Sequence, residues 1–284
     1  MIFRYLSAIC LFCASAWSLV GCGGGTGNGA PGGVPVPPSP AIPSLVQPGV
    51  YAATVNGQDF WGVITPAAWG SRWYGLHYAA SPNVEDPDIF SGTLTGLPAE
   101  TALIQGFKYF PLNAGYKDVY SANGQLKSPS DGKLSGQLTF TNTSKFSKPN
   151  LDFTATQIAT YIQPAKLSDI ANNWVGRLSY GEGSNGAFPF SVSPITGAVA
   201  ESISFGLGLD CKWKTNVSLV EPDSSANIFK LTLSMNIATA CGFQGQTLSG
   251  VAFVQKSPVP GKTQRLIWVA TTTEGQGMSF KADR

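Results

Sequence analysis

His77 and one acidic cluster are the residues of this chain whose types could do acid–base or metal chemistry. His77 stands in the run WYGLHYA and is the only histidine, so a multi-histidine zinc site is excluded. It could act as the base of a catalytic triad, but the sequence has no Gly-x-Ser-x-Gly nucleophile elbow. A polar residue on an aromatic-rich strand is usually exposed or hydrogen-bonded for structural reasons. We therefore expect His77 to be structural and the protein not to be an enzyme.

The acidic cluster consists of Glu85, Asp86 and Asp88 in the run NVEDPDIF. Carboxylates this close together could contribute to a calcium site, which takes six to eight oxygen ligands. The spacing matches no calcium loop, and Pro87 favours a solvated turn before a strand that begins at Ile89. We expect the solvated turn. No glycine-rich loop opens a predicted helix either, so no metal or cofactor is expected.

Aromatic residues are concentrated between positions 60 and 78. Successive side chains of a strand point to opposite faces, so neighbouring Trp73 and Tyr74 cannot both enter one core. Trp69 lies in a Pro-Ala-Ala-Trp-Gly turn and is the best candidate for an exposed aromatic. Exposed Trp and Tyr are enriched in binding hot spots, so the sequence predicts a ligand or partner contact at Trp69, Trp73 and Tyr74. The alternative is that a second module or loops cover both faces of these strands. The cluster comprises Phe60, Trp61, Trp69, Trp73, Tyr74 and Tyr78.

The charge balance limits the classes of partner. Charged residues make up 12% of the chain, with 18 basic and 16 acidic side chains. A nearly neutral protein has no electrostatic footprint for the phosphate backbone. Nucleic acid is therefore not an expected partner.

The elements that would position these residues are strands. Short runs rich in Val, Ile, Thr and aromatics, such as 49–55 and 72–78, alternate with Asn-Gly, Pro and Gly-Ser breakers. About eight such runs precede position 163 and about eight follow it, with one short helix expected in LSDIANN. The sequence predicts an all-β protein of two tandem antiparallel modules, each a small barrel or barrel-like sandwich. One continuous sandwich is the alternative.

A short motif, apolar-Ser-Gly-x-apolar, recurs in these runs. It occurs around Gly92, Gly136 and Gly250, and Gly176 lies in a looser relative of it. A glycine inside a strand usually marks a bulge, a bend or a close packing contact. The repetition also weakly favours duplication of one module.

The N-terminal residues carry a targeting pattern. Arg4 precedes an apolar stretch that ends in Leu19-Val20-Gly21-Cys22, and this stretch is too short for a comfortable transmembrane helix. The pattern resembles the lipobox of bacterial lipoproteins. The resemblance implies a signal peptide over residues 1–21 and a lipid-bearing Cys22 at the start of the mature chain. Gly23 in place of Asp implies the outer membrane. An ordinary secretory signal is the alternative.

Residues 22–48 are rich in glycine and then in proline. Such a segment has too little apolar surface to offset the entropy of ordering. We expect a disordered tether that holds the folded region, at 49–163 and 164–284, away from the bilayer. Linkers of this kind also occur as neutral spacers.

The remaining cysteines support export. Cys10 and Cys13 leave with the signal peptide and Cys22 is acylated, so Cys211 and Cys241 remain. An even pair in an oxidising compartment is most simply a disulfide. A metal or redox pair is the alternative, although there is no C-x-x-C spacing and no histidine nearby.

The layout of lipobox, tether and two β-rich modules resembles that of Gram-negative surface lipoproteins such as transferrin-binding protein B and factor H-binding protein. No residue-level motif carries over. The second module also resembles a class of proteobacterial lipoproteins with a similar opening at Asn173-Trp174-Val175-Gly176, a central cysteine pair and the stretch GQTLSGVAF. That class implies no particular activity.

The expected function is that of a lipid-anchored, non-enzymatic module that binds a protein or glycan at the cell surface or in the periplasm. A lipocalin-like carrier with an apolar ligand inside a barrel is the first alternative. A hydrolase that uses two converging carboxylates is the second.

Overall fold

The computed structural model bears out the all-β prediction, with two antiparallel modules of eight strands each. The described residues are 47–78, 87–97, 101–109, 119–128, 132–140, 150–158, 165–180, 183–199, 202–205, 209–219, 228–235, 243 and 245–284, without the side chains at 97, 101, 172, 183–186, 202–205 and 209–219. Both modules belong to one compact unit, Pro43–Arg284. The predicted boundary between positions 163 and 164 falls outside the described residues.

The first eight strands form a closed up-and-down barrel. Each strand pairs with the next, and the first strand pairs with the last at Tyr51 with Gln157 and at Ala52 with Thr156. A closed sheet has no free edge. The strands are β1 (Gly49–Val55), β2 (Gln58–Ile64), β3 (Arg72–Tyr78), β4 (Pro87–Leu97), β5 (Thr101–Tyr109), β6 (Val119–Lys127), β7 (Lys133–Phe140) and β8 (Asn150–Gln157).

Every second residue of the barrel strands faces the interior, which is a packed core. The rings of Phe60 and Phe153 lie 4.5 Å apart, and Trp73 stacks on Phe153 at 6.4 Å. Alanine and leucine from β5–β8 fill the remaining space. The strands from β2 to β7 each have a glycine in this inward register, namely Gly62, Gly75, Gly92, Gly106, Gly124 and Gly136.

The second module repeats this connectivity but is an open sheet of order β10-β9-β16-β15-β14-β13-β12-β11. Its first and last strands pair, as in the barrel. In the described part of the chain, Val192 at the end of β10 forms one isolated bridge with Val199, which precedes β11. The strands are β9 (Asn172–Tyr180), β10 (Gly183–Val192), β11 (Ser202–Phe205), β12 (Leu209–Leu219), β13 (Phe229–Met235), β14 (Thr247–Lys256), β15 (Gln264–Thr271) and β16 (Gly277–Asp283).

A short helix, α1 (Leu167–Ile170), precedes β9 within the predicted LSDIANN segment. Trp174 Nε1 donates a hydrogen bond to the Ile170 carbonyl at 2.9 Å. The guanidinium of Arg284 lies 4.1 Å from the Trp174 ring centroid and donates to the Ala171 carbonyl. These contacts hold α1 and the end of the chain against the second sheet. In the described part of the chain there is no helix long and apolar enough to span a membrane.

The two sheets pack against each other through a shared apolar cluster. The outer faces of β1–β4 contribute Val50, Trp61, Val63, Tyr74, Leu76, Tyr78 and Ile89, and β14 and β15 contribute Val251, Phe253, Ile267 and Val269. Strands that are buried on both faces have continuous apolar sequences, such as FWGVI in β2 and RLIWVA in β15. The turn before β16 also contacts the barrel: Gly275 has a φ of +87°, and a Cβ there would lie 2.3 Å from the Phe107 Cβ.

Candidate functional site

Trp73 and Tyr74 lie inside the molecule. Trp73 has no exposed surface and belongs to the barrel core, whereas Tyr74 is 2% exposed in the inter-sheet cluster. Burial raises the pKa of the Tyr74 phenol, against the opposing charge of Arg72. For Tyr74 the alternative given above is correct, because the second module covers this side chain. Neither side chain offers an exposed contact, because each fills one of the two cores.

Trp69 is half-buried in the 3-10 turn Ala67–Trp69, which follows β2. Its side chain packs at the edge of the inter-sheet cluster. Of the three predicted contact residues, Trp69 alone is not buried.

The sole histidine is part of a charged cluster at one end of the barrel interior. Asp88 lies opposite His77 across β3 and β4, and its carboxylate is 3.1 Å from Lys108 Nζ and 4.0 Å from His77 Nδ1. His77 Nε2 is 3.3 Å from the Val55 carbonyl oxygen, in line with the structural role expected for it. Lys108 also lies 4.7 Å from the Phe140 ring centroid.

The expectation of a solvated turn at Asp88 is wrong. Proline is tolerated as the first residue of a strand, so β4 begins at Pro87 and directs Asp88 into the barrel, where its side chain is 14% exposed. Burial raises the pKa of Asp88, although Lys108 and His77 act to lower it. Glu85 and Asp86 lie outside the described residues. The cluster is an ion pair between Asp88 and Lys108 with an adjacent imidazole.

A cleft of about 370 Å³ opens where β1 and β2 of the barrel meet β14 and β15 of the second sheet. Its apolar side includes Phe60 and Trp61, and Trp61 Nε1 donates a hydrogen bond to Gln255 Oε1 at 3.2 Å. This bond crosses from one sheet to the other and fixes the indole. The lining residues are Ala52, Ala53, Thr54, Asp59, Phe60, Trp61, Gln255, Lys256, Pro258 and Arg265.

The polar side of this inter-sheet cleft carries both signs of charge. Asp59 and Lys256 are exposed, whereas Arg265 is 6% exposed. The guanidinium of Arg265 binds both carboxylate oxygens of Asp283, at 2.8 and 2.9 Å, and Ser257 Oγ donates to the same carboxylate at 2.6 Å. Burial opposes the effect, but the hydrogen bonds from Arg265 and Ser257 lower the pKa of Asp283. A bidentate pair of this kind holds the cation in one position.

A second concavity, of about 420 Å³, lies on the outer face of β5–β7. Its side walls are amides and a hydroxyl rather than charges. The lining residues are Leu103, Ile104, Gln105, Asn123, Gly124, Gln125, Gln137 and Thr139.

The predicted cysteine sites are not described. Cys22 and Cys241 lie outside the described residues, and for Cys211 only the backbone in β12 is described. Lipidation of Cys22 and the Cys211–Cys241 disulfide remain predictions.

Sequence reasoning did not find the inter-sheet cleft. Its members come from distant parts of the chain, such as Trp61 and Gln255, and no spacing links them. The available signal was the unbroken apolar character of β2, β3, β14 and β15, which indicates strands covered on both faces. That signal predicts contact between the modules but not which polar residues border it.

The chain was compared with protein-family models, curated proteins and solved structures. It matches no family model, no curated protein and no solved structure.

Proposed function

We propose that this protein is a lipid-anchored component of the bacterial cell envelope, and that its folded region is a non-enzymatic binding module with its site in the inter-sheet cleft. The observation that carries the binding site is the cleft itself. It exists only because the two sheets pack together, and sites between packed units are a common location for ligands.

The cleft combines features that suit recognition. Trp61 and Arg265 are almost fully buried, and a hydrogen bond to Gln255 and an ion pair with Asp283 fix them as rigid parts of the lining. Thr54, Asp59 and Lys256 supply the exposed surface of the cleft. Groups already held in place lose little conformational entropy when a partner binds. Asp59 and Lys256 add exposed charges of opposite sign, which favours a polar segment of a protein partner over a uniformly charged polymer.

Carriage of an apolar ligand inside the barrel has less support. A barrel of eight strands holds either packed side chains or one small ligand. Phe60, Trp73 and Phe153 occupy this interior at stacking distances, so the space is used by the protein's own core.

A carboxylate-based hydrolase has less support as well. That chemistry uses two carboxyl groups about 5 to 9 Å apart across a substrate. Asp59 is the one carboxylate among the described residues that line the cleft. Asp88 in the barrel is paired with Lys108.

The anchor rests on the lipobox resemblance and the Gly/Pro-rich segment 22–48. Cells that express the parent chain or Cys22→Ala should be fed a labelled fatty-acid analogue. We expect label on the parent protein in the outer-membrane fraction and none on the variant. Equal labelling of both proteins would refute the anchor.

The binding site is tested by photo-crosslinking in the cells that produce the protein. A photoreactive phenylalanine analogue replaces Thr54, which is exposed and lines the cleft, or Thr154, which is exposed on the outer face of β8. We expect a discrete adduct from position 54 and none from position 154. No adduct from 54, or the same adduct from both positions, would refute the assignment.

A further inference from the structure

The groove on the outer face of β5–β7 is a second site with a different chemistry. It lies on strands whose central outer face takes no part in the inter-sheet cluster. Its outward-facing side chains, which are polar except for Leu103, form two cross-strand rows. Leu103, Gln125 and Gln137 are direct neighbours in one row, and Gln105, Asn123 and Thr139 are direct neighbours in the other.

Two inward-facing glycines lie on the strands that carry the groove. Gly124 lies between the two rows, and a Cβ built on it would point inward and lie 2.0 Å from the Gln137 carbonyl oxygen. On β7, a Cβ at Gly136 would lie 2.4 Å from the Phe153 ring. Neither position has room for a side chain on the inner side of the wall, and glycine meets that constraint.

The groove carries no charge among its lining residues. Each amide of Asn or Gln offers a donor and an acceptor, and the threonine hydroxyl offers both functions in one atom. Directly opposed side chains stand about 5 Å apart, and rows two residues apart along a strand are separated by about 7 Å. This grid offers paired donors and acceptors to a ligand that carries many hydroxyl groups.

Charge separates this groove from the inter-sheet cleft. The cleft has Asp59, Lys256 and Arg265, whereas the groove offers phosphate, sulfate or carboxylate groups no cation. Leu103 supplies an apolar contact beside Gln125 for the C–H face of a sugar ring. We propose that the groove binds an uncharged oligosaccharide, as a second ligand beyond the partner assigned to the cleft.

The test uses the full-length protein in a detergent without a sugar head group. Isothermal titration calorimetry is run with three neutral probes, maltohexaose, cellohexaose and hexa-N-acetylchitohexaose, and with the anionic probe hexagalacturonate. We expect at least one neutral probe to bind and the anionic probe not to bind. Failure of all three neutral probes to bind overturns the proposal, as does binding of hexagalacturonate equal to that of the best neutral probe.

Matched variants locate the site. Gln125→Ala combined with Gln137→Ala should weaken the binding neutral probe by about tenfold or more, because two hydrogen-bonding groups are lost. Thr154→Ala combined with Thr156→Ala changes exposed residues on the neighbouring strand β8 and should leave the affinity within about twofold. Gln125→Glu combined with Gln137→Glu keeps the shape of the side chains, so a parent-like circular dichroism spectrum with lost binding separates recognition from folding. Binding that survives both groove variants overturns the proposal.

A negative glycan result would not remove the proposed function. The adduct from position 54 reports the cleft, which shares no lining residue with the groove. The groove proposal and the cleft proposal can therefore be refuted independently of each other.

Discussion

The barrel and the second sheet have the same strand connectivity but differ in closure. In both, each strand follows the last in a meander and the first strand pairs with the last. The barrel closes at every junction, whereas the second sheet opens between β10 and β11. Connectivity alone therefore does not decide whether eight strands close.

The interiors explain the difference. The barrel has an inward glycine on each strand from β2 to β7, and small residues such as Ala122 and Ala155 beside them. In the described part of the second sheet the inward positions include Phe188, Phe190, Trp268 and Phe280, with glycine at Gly176 and Gly250. Eight strands enclose only a narrow interior. The barrel interior also holds large rings such as Phe60, Trp73 and Phe90, so we infer that its additional inward glycines, rather than a lack of bulky side chains, allow it to close.

The largest expected effect concerns how the open sheet is stabilised. The segment 49–163 has no cysteine, whereas the second module has Cys211 and Cys241. A disulfide that closes a loop of about 30 residues contributes roughly 3–4 kcal/mol in the chain-entropy model. We expect reduction to lower the free energy of unfolding by that amount in urea titrations. Two free thiols in exported protein, seen by non-reducing mass spectrometry, would contradict this account.

The second prediction tests the role of glycine in closure. Gly124→Val should lower the free energy of unfolding by about 3 kcal/mol or more, because its Cβ would strike the Gln137 carbonyl and overpack the core. Gly96→Val is the matched control on β4, since a Cβ there meets nothing within 4 Å. Urea unfolding of the two variants gives the comparison. Equal losses of unfolding free energy in the two variants would contradict this explanation, because they would show that the space around the glycine Cα does not matter.

The third prediction concerns the charged cluster in the barrel. Lys108→Met should cost on the order of 3 kcal/mol at neutral pH, because it leaves the Asp88 carboxylate buried without its ion pair. Lys108→Met combined with Asp88→Leu should recover most of the loss, since no buried charge remains. A double variant as unstable as the single one would contradict the ion-pair explanation.

The stability contributions of Asp88 and Asp283 should depend on pH in opposite directions. The folded-state pKa of Asp88 is raised, so from about pH 4 up to that pKa the folded state binds more protons and stability falls as pH rises. The folded-state pKa of Asp283 is lowered, so its contribution is present above about pH 4 and is lost as pH falls through the folded-state value.

The smallest effect is expected from Asp283 itself. Asp283→Asn should cost about 1 kcal/mol at neutral pH, because Asp283 is partly exposed and water screens its pair with Arg265. Asp283→Asn should also reduce the loss of unfolding free energy as pH falls below about 4. Asp88→Asn should remove the decrease in unfolding free energy that Asp88 causes as pH rises above about 4. Parallel pH profiles for the two variants would refute the assignment of opposite shifts.

Much of the fold could be predicted from the sequence because strand patterns are local. Alternation in NLDFTATQ marks one buried face of β8, and the breakers around 49–55 and 72–78 delimit β1 and β3 as the structure has them. The glycines of the recurring motif do mark close packing, as at Gly136 and Gly250. Their strands, β7 and β14, hold different places in the two meanders, so the motif reflects packing rather than an aligned repeat.

The candidate sites could not be predicted because they depend on non-local geometry. Asp88 lies inside the barrel because β4 starts at Pro87, two residues before the expected start at Ile89, and side chains two residues apart on a strand share a face, so Asp88 has the inward register of Phe90. Tyr74 lies in contact with β14 and β15, which are far away in the chain.

The most direct test of the cleft as the binding site is the adduct yield from the photoreactive residue at position 54 in cells. Lys256→Glu reverses a charge that lines the cleft, whereas Lys127→Glu reverses an exposed charge on β6 of the barrel. We predict that Lys256→Glu lowers the yield by about tenfold and that Lys127→Glu leaves it unchanged. A yield that is unaffected by Lys256→Glu, or lowered equally by both variants, would contradict the claim that the cleft binds the partner.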